Sequence, residues 1–161
     1  MSARTALVFP GQGSQRIGML AALPEHDDLP RLLDAAEALS GIPLASLAER
    51  GPEEALSDTR AAQPLLFLAD WAWGSALLDA GLEPVAVAGH SLGEFAALAL
   101  AGVFSPEAGL ELVVERSRLM AEVAAGSPGG MVAVLGLDGP AVTAALEGIE
   151  GAWTANDNCP G

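Results

Sequence analysis

Apolar residues in this chain follow two patterns, short continuous runs and longer stretches with helical spacing. The short runs Thr5–Phe9 and Val85–Ala88 have the length and β-branched content of buried strands. The longer stretches repeat apolar residues three and four positions apart, which predicts helices packed by one face. Strands alternating with helices indicate an α/β fold, although a typical sheet has roughly five or six strands and only two core strands are evident here.

Capping signals bound the predicted helices. Pro30 stands in the first turn of one helix, and Gly41 follows its last residue. Ser105 precedes a proline and an acidic residue at the start of another. Serine is a favoured N-cap, proline fits a first turn, and glycine commonly terminates a helix. The predicted helices cover residues 29–40, 43–50, 52–56, 59–80, 91–102 and 106–125.

The same patterns predict which side chains are buried. We interpret Trp71 and Trp73 as packing residues on different sides of one helix. We expect Leu119 to face inward together with Leu110 on another. His26 lies among three acidic residues in a predicted surface loop, so we expect its imidazole to be solvated.

The Ser-Pro-Gly-Gly sequence at 127–130 marks the clearest linker in the chain. After it, residues 131–135 and 152–155 have the composition of strands. Between them, Asp138 is a good N-cap for a helix that ends near residue 147. Strand, helix and strand form the first half of a split β-α-β unit, so we expect a smaller structural unit to begin here.

Composition and charge exclude several function classes. The net charge of −14 argues against binding to nucleic acid or to an anionic membrane. All 7 basic residues are arginines, so no lysine can form a Schiff base. One cysteine and two histidines do not make a structural zinc site, and we expect neither metal nor cofactor. A single cysteine excludes an internal disulfide, which agrees with a cytoplasmic location.

Hydrophobic residues make up 51% of the chain and charged residues only 17%, where an ordinary domain has about 25% charged residues. Much of the excess is alanine, which a GC-rich coding sequence explains. The alternative is that further polypeptide packs against part of this surface.

The second apolar run leads into Gly89-His90-Ser91-Leu92-Gly93, a Gly-x-Ser-x-Gly pentapeptide followed at once by an alanine-rich helical pattern. Strand, sharp turn and helix are the context of a nucleophile elbow, in which the serine stands on the turn. Glycines flank the serine because side chains there would crowd the turn. Ser91 is therefore the candidate nucleophile.

An activated serine needs a general base, usually a histidine, within hydrogen-bond reach. His90 is adjacent to Ser91, and adjacent side chains diverge on an extended backbone, so we interpret His90 as bracing the elbow. His26 lies in a distant acidic loop. Two explanations stay open: Ser91 is not catalytic, or its base lies on polypeptide outside this chain.

Several motifs in order carry a resemblance to a known family. They are Phe9–Gln15 (FPGQGSQ), Gln63-Pro64, Gly89–Glu94 (GHSLGE), Arg116 and Asn156–Gly161 (NDNCPG). Together they resemble the acyltransferases of fatty-acid and polyketide synthesis, and within them the malonyl-CoA:acyl-carrier-protein transacylases. The family's asparagine-rich motif usually has serine or alanine where this chain has cysteine.

The resemblance implies roles for three residues around the elbow. Ser91 would accept the acyl group from coenzyme A. The backbone N–H groups of Gln12 and Leu92 would form the oxyanion hole, which accounts for a glycine-rich turn after the first strand.

The resemblance also implies a substrate site. Arg116 would pair with the free carboxylate of a malonyl or related dicarboxylic acyl group, for which a guanidinium is well shaped. Gln63 and His90 would join it in binding substrate, whereas Arg118 does not match this role. The expected partners are malonyl-CoA as substrate and the phosphopantetheine thiol of an acyl carrier protein.

The family's enzymes are about twice as long as this chain, and their catalytic histidine would lie on the absent C-terminal half. The resemblance implies an α/β-hydrolase-like large subdomain with an inserted ferredoxin-like small subdomain. Residues 1–127 would be the N-terminal part of the large one, and residues 128–161 the beginning of the small one. The alternatives are an acyl-thioester hydrolase on the same elbow and a non-catalytic half-domain.

Overall fold

The computed structural model describes residues 4–127 and 129–158. Pro128 of the linker and the last three residues of the Asn156–Gly161 motif lie outside the described residues. The chain divides into two compact units, Met1–Ser127 and Pro128–Gly161, and each is described by itself. No helix in the described ranges combines the length and apolar character needed to cross a membrane.

Both predicted strands form and pair with each other. Neither is buried throughout as predicted, since Val8 is 73% exposed and Ala86 is also exposed. Strands β1 (Ala6–Phe9) and β2 (Ala86–Gly89) are parallel, with Phe9 opposite Gly89. Because parallel strands run in the same direction, the segments that follow them leave the same edge of the sheet. The α/β class predicted from the sequence is confirmed.

Six α-helices accompany the sheet in the first unit, and a short 3₁₀ helix (Met19–Ala22) precedes them. Their bounds agree with the sequence prediction within one or two residues. The helices are α1 (Leu29–Ser40), α2 (Leu44–Arg50), α3 (Glu53–Leu56), α4 (Thr59–Asp79), α5 (Gly93–Leu100) and α6 (Pro106–Gly126).

Helix α4 is the centre of the core. It packs against α1, α5 and α6, and for this reason every residue from Ala61 to Ala72 is buried. Phe67 of α4 is fully buried, as are Leu32 of α1 and Leu110 of α6. Burial on all sides holds α4 rigidly, because each side chain contacts a different neighbouring element.

Three predictions about individual side chains are wrong. Trp71 is buried, but Trp73 is 51% exposed, because positions two apart on a helix point in nearly opposite directions. Leu119 is 46% exposed, since nine positions after Leu110 is half a turn round the helix. His26 is half-buried rather than solvated, with its ring edge-on to Trp71 at 4.4 Å between centroids.

Residues 129–158 of the second unit contain one helix, α7 (Gly139–Leu146), capped by the Asp138 carboxylate, whose oxygen lies 2.9 Å from the Ala141 nitrogen. The strands predicted at 131–135 and 152–155 are wrong, because neither segment forms a strand. A strand requires a hydrogen-bonded partner, and none pairs with them within residues 129–158. Their side chains stay exposed, Val132 at 88% and Trp153 at 76%. The ferredoxin-like identity of this unit stays a prediction.

Candidate functional site

Ser91 stands on a sharp turn between β2 and α5. Its φ of 54° is the only left-handed value at a non-glycine residue within the described ranges. The helix predicted from Ser91 begins instead at Gly93, because a left-handed residue cannot belong to a right-handed helix. A strained residue of this kind persists only where its surroundings hold it, and it is a mark of functional sites. The Ser91 side chain is exposed.

Close backbone packing explains both glycines that flank Ser91. A Cβ at Gly89 would lie 2.0 Å from the carbonyl carbon of Gly93. A Cβ at Gly93 would lie 2.4 Å from the carbonyl oxygen of Phe9. Neither position accepts a side chain, so the start of α5 packs directly against the ends of both strands.

The glycine-rich turn after β1 lies beside the elbow. The backbone N–H of His90 donates to the Phe9 carbonyl oxygen at 3.0 Å. A Cβ at Gly11 would lie 2.8 Å from His90 Nδ1, so the His90 imidazole stands against the turn. The next residue, Gln12, is exposed. Parallel pairing of β1 with β2 therefore places the Gln12 turn next to Ser91.

The two predicted oxyanion donors are unengaged. Within residues 4–127 and 129–158, the backbone N–H groups of Gln12 and Leu92 donate no hydrogen bond. Free N–H groups beside a nucleophile can receive a developing negative charge. The structure leaves both groups available, and their role as an oxyanion hole stays a prediction.

Arg116 reaches the elbow from α6. Its Nη2 donates to Ser91 Oγ at 2.8 Å, and its Nη1 donates to Gln63 Oε1 at 2.5 Å. The guanidinium carbon lies 5.7 Å from the centre of the Phe95 ring, within the range of a cation–π contact. Three elements thus hold one half-buried cation against the serine hydroxyl.

Gln63 connects Arg116 to α4 and to the turn after β1. Its side chain is fully buried, and its Nε2 donates to Thr59 Oγ1 at 2.6 Å and to Met120 Sδ at 3.2 Å. Thr59 Oγ1 in turn donates to Gln12 Oε1 at 3.0 Å. The structure brings together Ser91, Arg116, Gln63 and Gln12, which the sequence places far apart.

Sequence reasoning missed Thr59. A signal existed, because Thr59 precedes Gln63 by four positions and therefore lies next to it on one face of α4. Arg118, to which the resemblance gives no role in the site, pairs with Glu115 and Glu122 on α6. Hydrogen bonds to these carboxylates, that of Glu115 foremost, raise the pKa of Arg118.

Among the residues that the structure describes, no general base contacts the nucleophile. Within the described residues, no side chain accepts a hydrogen bond from the Ser91 hydroxyl. The ring of His26 lies against Trp71, and its Nδ1 accepts from the Asp28 N–H at 3.1 Å. In the described ranges, no group of three His, Cys, Asp or Glu side chains is placed to hold a metal ion.

One further titratable group lies inside the fold, away from these contacts. Asp70 is 7% exposed, and its Oδ2 has no hydrogen-bond partner within the described part of the chain. Burial raises the pKa of Asp70 to about 7. It stands about two helical turns beyond Gln63 on α4, so we assign it no part in the site.

Known proteins resemble the chain in sequence and in structure. It is 40% identical over 144 residues to the malonyl CoA-acyl carrier protein transacylase of Salmonella typhimurium, covering 88% of this chain and 47% of that protein. It is 42% identical over 158 residues to the polyketide biosynthesis protein ThaF of Burkholderia thailandensis, covering 96% of this chain and 13% of that protein. The chain thus spans about half the length of the transacylase and a smaller share of the longer polyketide biosynthesis protein.

Solved structures of transacylases also match the chain. The crystal structure of MCAT from Mycobacterium tuberculosis matches with a TM-score of 0.78 and 37% identity, over 90% of this chain and 49% of that one. A type II PKS acyl-carrier protein in complex with its malonyl-transacylase contains a chain that matches with a TM-score of 0.74 and 36% identity. That match covers 90% of this chain and 48% of the other. The acyl transferase domain family matches residues 6–155, and the chain therefore belongs to that family.

Proposed function

We propose that this chain is the nucleophile-bearing part of an acyltransferase that moves a malonyl group from coenzyme A to the thiol of an acyl carrier protein. The observation that carries the proposal is the Arg116 guanidinium, which lies 2.8 Å from Ser91 Oγ. An acyl group on Ser91 is thereby formed next to a fixed cation. A named relative, a malonyl CoA-acyl carrier protein transacylase, supports the choice of acyl group and acceptor.

The position of Arg116 favours an acyl group that carries its own carboxylate. In a malonyl ester of Ser91, the free carboxylate carbon is three covalent bonds from Oγ, so a guanidinium beside Oγ is within its reach. Arginine presents two parallel N–H groups that match a carboxylate. Gln63 Oε1 holds the guanidinium in place by accepting from Nη1. An acetyl group offers no carboxylate and gains nothing from this contact.

Transfer proceeds in two half-reactions. Ser91 Oγ attacks the thioester carbonyl of malonyl-CoA, its proton passes to a base, and the coenzyme A thiol leaves with a proton. The carrier-protein thiol then attacks the Ser91 ester, and Ser91 recovers its proton. The free N–H groups of Gln12 and Leu92 support an oxyanion site for both tetrahedral intermediates. His90, against the Gln12 turn, is assigned to substrate binding.

A histidine base on polypeptide beyond this chain completes the proposed site. Within the described residues, no group accepts the proton of the Ser91 hydroxyl. The related transacylase is also about twice as long as the part of it that this chain matches. The large exposed side chains of the second unit also fit additional polypeptide. The cytoplasmic location expected from the sequence stays a prediction.

The proposal is tested by mass spectrometry of the protein that contains this chain together with the polypeptide that supplies the base. Incubation with malonyl-CoA is expected to add one malonyl group on Ser91, and adding a holo acyl carrier protein is expected to remove it to the carrier. Ser91→Ala is the control and is expected to stay unmodified. Absence of the adduct on the parent protein refutes the proposal, and release to water as fast as to the carrier indicates a hydrolase instead.

A further inference from the structure

A series of hydrogen bonds runs from Arg116 through Gln63 and Thr59 to Gln12, and the available donors set the direction of each. A guanidinium has only donors, so the Gln63 carbonyl oxygen must face Arg116. The Gln63 amide nitrogen must then point the other way, where its protons need acceptors. Since Gln63 is fully buried, those acceptors come from protein atoms.

Thr59 supplies the acceptor that this orientation requires. Its Oγ1 accepts from Gln63 Nε2 at 2.6 Å and is therefore left with its own proton to donate. That proton goes to Gln12 Oε1, 3.0 Å away. The other acceptor of the Gln63 amide is the thioether sulfur of Met120, which accepts weakly.

We propose that the Thr59 hydroxyl is a positioning residue that couples the Arg116 side of the site to the Gln12 turn. This inference rests on the proposed function. Through Gln63, Thr59 holds the guanidinium in the orientation that receives a carboxylate. Through Gln12, the same hydroxyl holds the turn whose N–H is the proposed donor to the developing oxyanion.

Thr59 is well placed for this task because its backbone is fixed. It is the first residue of α4, and the preceding Asp58 caps the helix by accepting from the Arg60 N–H at 2.9 Å. The side-chain hydrogen bond from Arg60 lowers the pKa of Asp58, which keeps the cap ionised. The Gln12 turn is exposed, and a contact to rigid α4 restricts the positions that it can adopt.

A second side-chain hydrogen bond of the Gln12 turn is weaker. Gln15 Nε2 donates to Ser57 Oγ at 3.4 Å, longer than the usual range for a hydrogen bond. The hydroxyl of Thr59 thus makes the shorter of these two side-chain contacts. Removing it is expected to loosen the turn while the cap of α4 stays intact.

The test compares Thr59→Val, which has nearly the same shape and no hydroxyl, with Thr59→Ser, which keeps the hydroxyl. Thr143→Val is the matched control, because Thr143 Oγ1 donates only to the Gly139 carbonyl within α7. All variants are made in the protein used for the malonyl assay. The first readout is the rate of Ser91 acylation by malonyl-CoA, separated into kcat and KM. The second is hydrogen exchange of the Gln63 side-chain amide protons measured by NMR.

Thr59→Val is expected to slow acylation about tenfold and to raise the exchange rate of the Gln63 amide protons by at least about tenfold, since a buried amide loses an acceptor. Thr59→Ser and Thr143→Val are expected to stay within about twofold of the parent in both readouts. Unchanged exchange and rate in Thr59→Val overturn the proposal. Equal losses in Thr59→Ser also overturn it, because the methyl group would then be responsible.

The two readouts separate this inference from the proposed function. If the parent protein forms no malonyl ester, the proposed function fails, and the exchange rate of the Gln63 amide alone decides the positioning role. If the parent forms the ester, the rates of Thr59→Val and Thr59→Ser decide whether positioning matters for transfer.

Discussion

Replacing Arg116 by alanine removes the hydrogen bonds from the guanidinium to Ser91 Oγ and to Gln63 Oε1. It also removes both donors expected to hold the malonyl carboxylate. The Ser91 turn itself does not depend on this side chain, because its glycines and strand ends hold it. The variant therefore tests substrate selection with the nucleophile still in place.

The expected loss follows from the number and kind of contacts. A hydrogen bond to a charged group contributes about 1.5–3 kcal/mol, so two of them contribute roughly 3–6 kcal/mol. Arg116 is only half-buried, and solvent reduces this to about 3–4 kcal/mol. At about 1.4 kcal/mol per factor of ten, Ser91 acylation by malonyl-CoA is expected to fall roughly 10²- to 10³-fold. Acylation by acetyl-CoA is expected to change less than about tenfold, since acetyl has no carboxylate.

The assay measures the kcat/KM of acylation for malonyl-CoA and acetyl-CoA by the release of coenzyme A. Arg118→Ala is the matched control, because Arg118 lies two positions further on the same helix and pairs with Glu115 and Glu122 rather than with Ser91 or Gln63. Its malonyl preference is expected to equal that of the parent. A malonyl-to-acetyl ratio unchanged in Arg116→Ala, or reduced as much in Arg118→Ala, refutes the assignment.

Two further changes test the fold around the site. Gly93→Ala places a methyl group 2.4 Å from the Phe9 carbonyl oxygen and is expected to lower the free energy of unfolding by about 1–3 kcal/mol. Gly126→Ala, whose methyl group meets open space, is the control. Equal urea midpoints for the two variants would contradict the prediction. Asp70 has a pKa raised from 3.8 to about 7, so its burial favours the neutral carboxyl and costs stability once it ionises. The contribution of Asp70 to the free energy of unfolding is greatest below pH about 4 and is lost as the pH rises through about 7. Urea unfolding at several pH values is expected to show this loss in the parent and not in Asp70→Asn, and identical profiles would exclude it.

The sequence within a few residues of Ser91 was sufficient to predict the tight turn between β2 and α5. Glycines on both sides of Ser91, after a strand and before a helix, predicted a tight turn, and the structure has this turn with Ser91 at a φ of 54°. The prediction succeeded because the constraint is short-range, as it arises from backbone atoms within a few residues. The bounds of α1 were predicted for the same reason, since Pro30 and Gly41 act on their own helix ends.

Burial was predicted less well, because periodicity identifies a helix face without saying what covers it. Trp73 and Leu119 were expected in the core and are 51% and 46% exposed. Residues 131–135 have the composition of a strand, yet a strand depends on a partner strand that can lie anywhere in the sequence. None pairs with them in the part of the chain that the structure describes.

By itself, the sequence determined the strand–turn–helix around Ser91, the helix ends marked by their caps, and the candidate residues Gln12, Gln63 and Arg116. Only the tertiary structure decided how these residues meet. The packing of α4 against α6 brings Gln63 to Arg116, and the pairing of β1 with β2 brings the Gln12 turn to the elbow. The contact of Thr59 with Gln12 joins residues 47 positions apart. Such contacts depend on how whole elements pack, which no local pattern specifies.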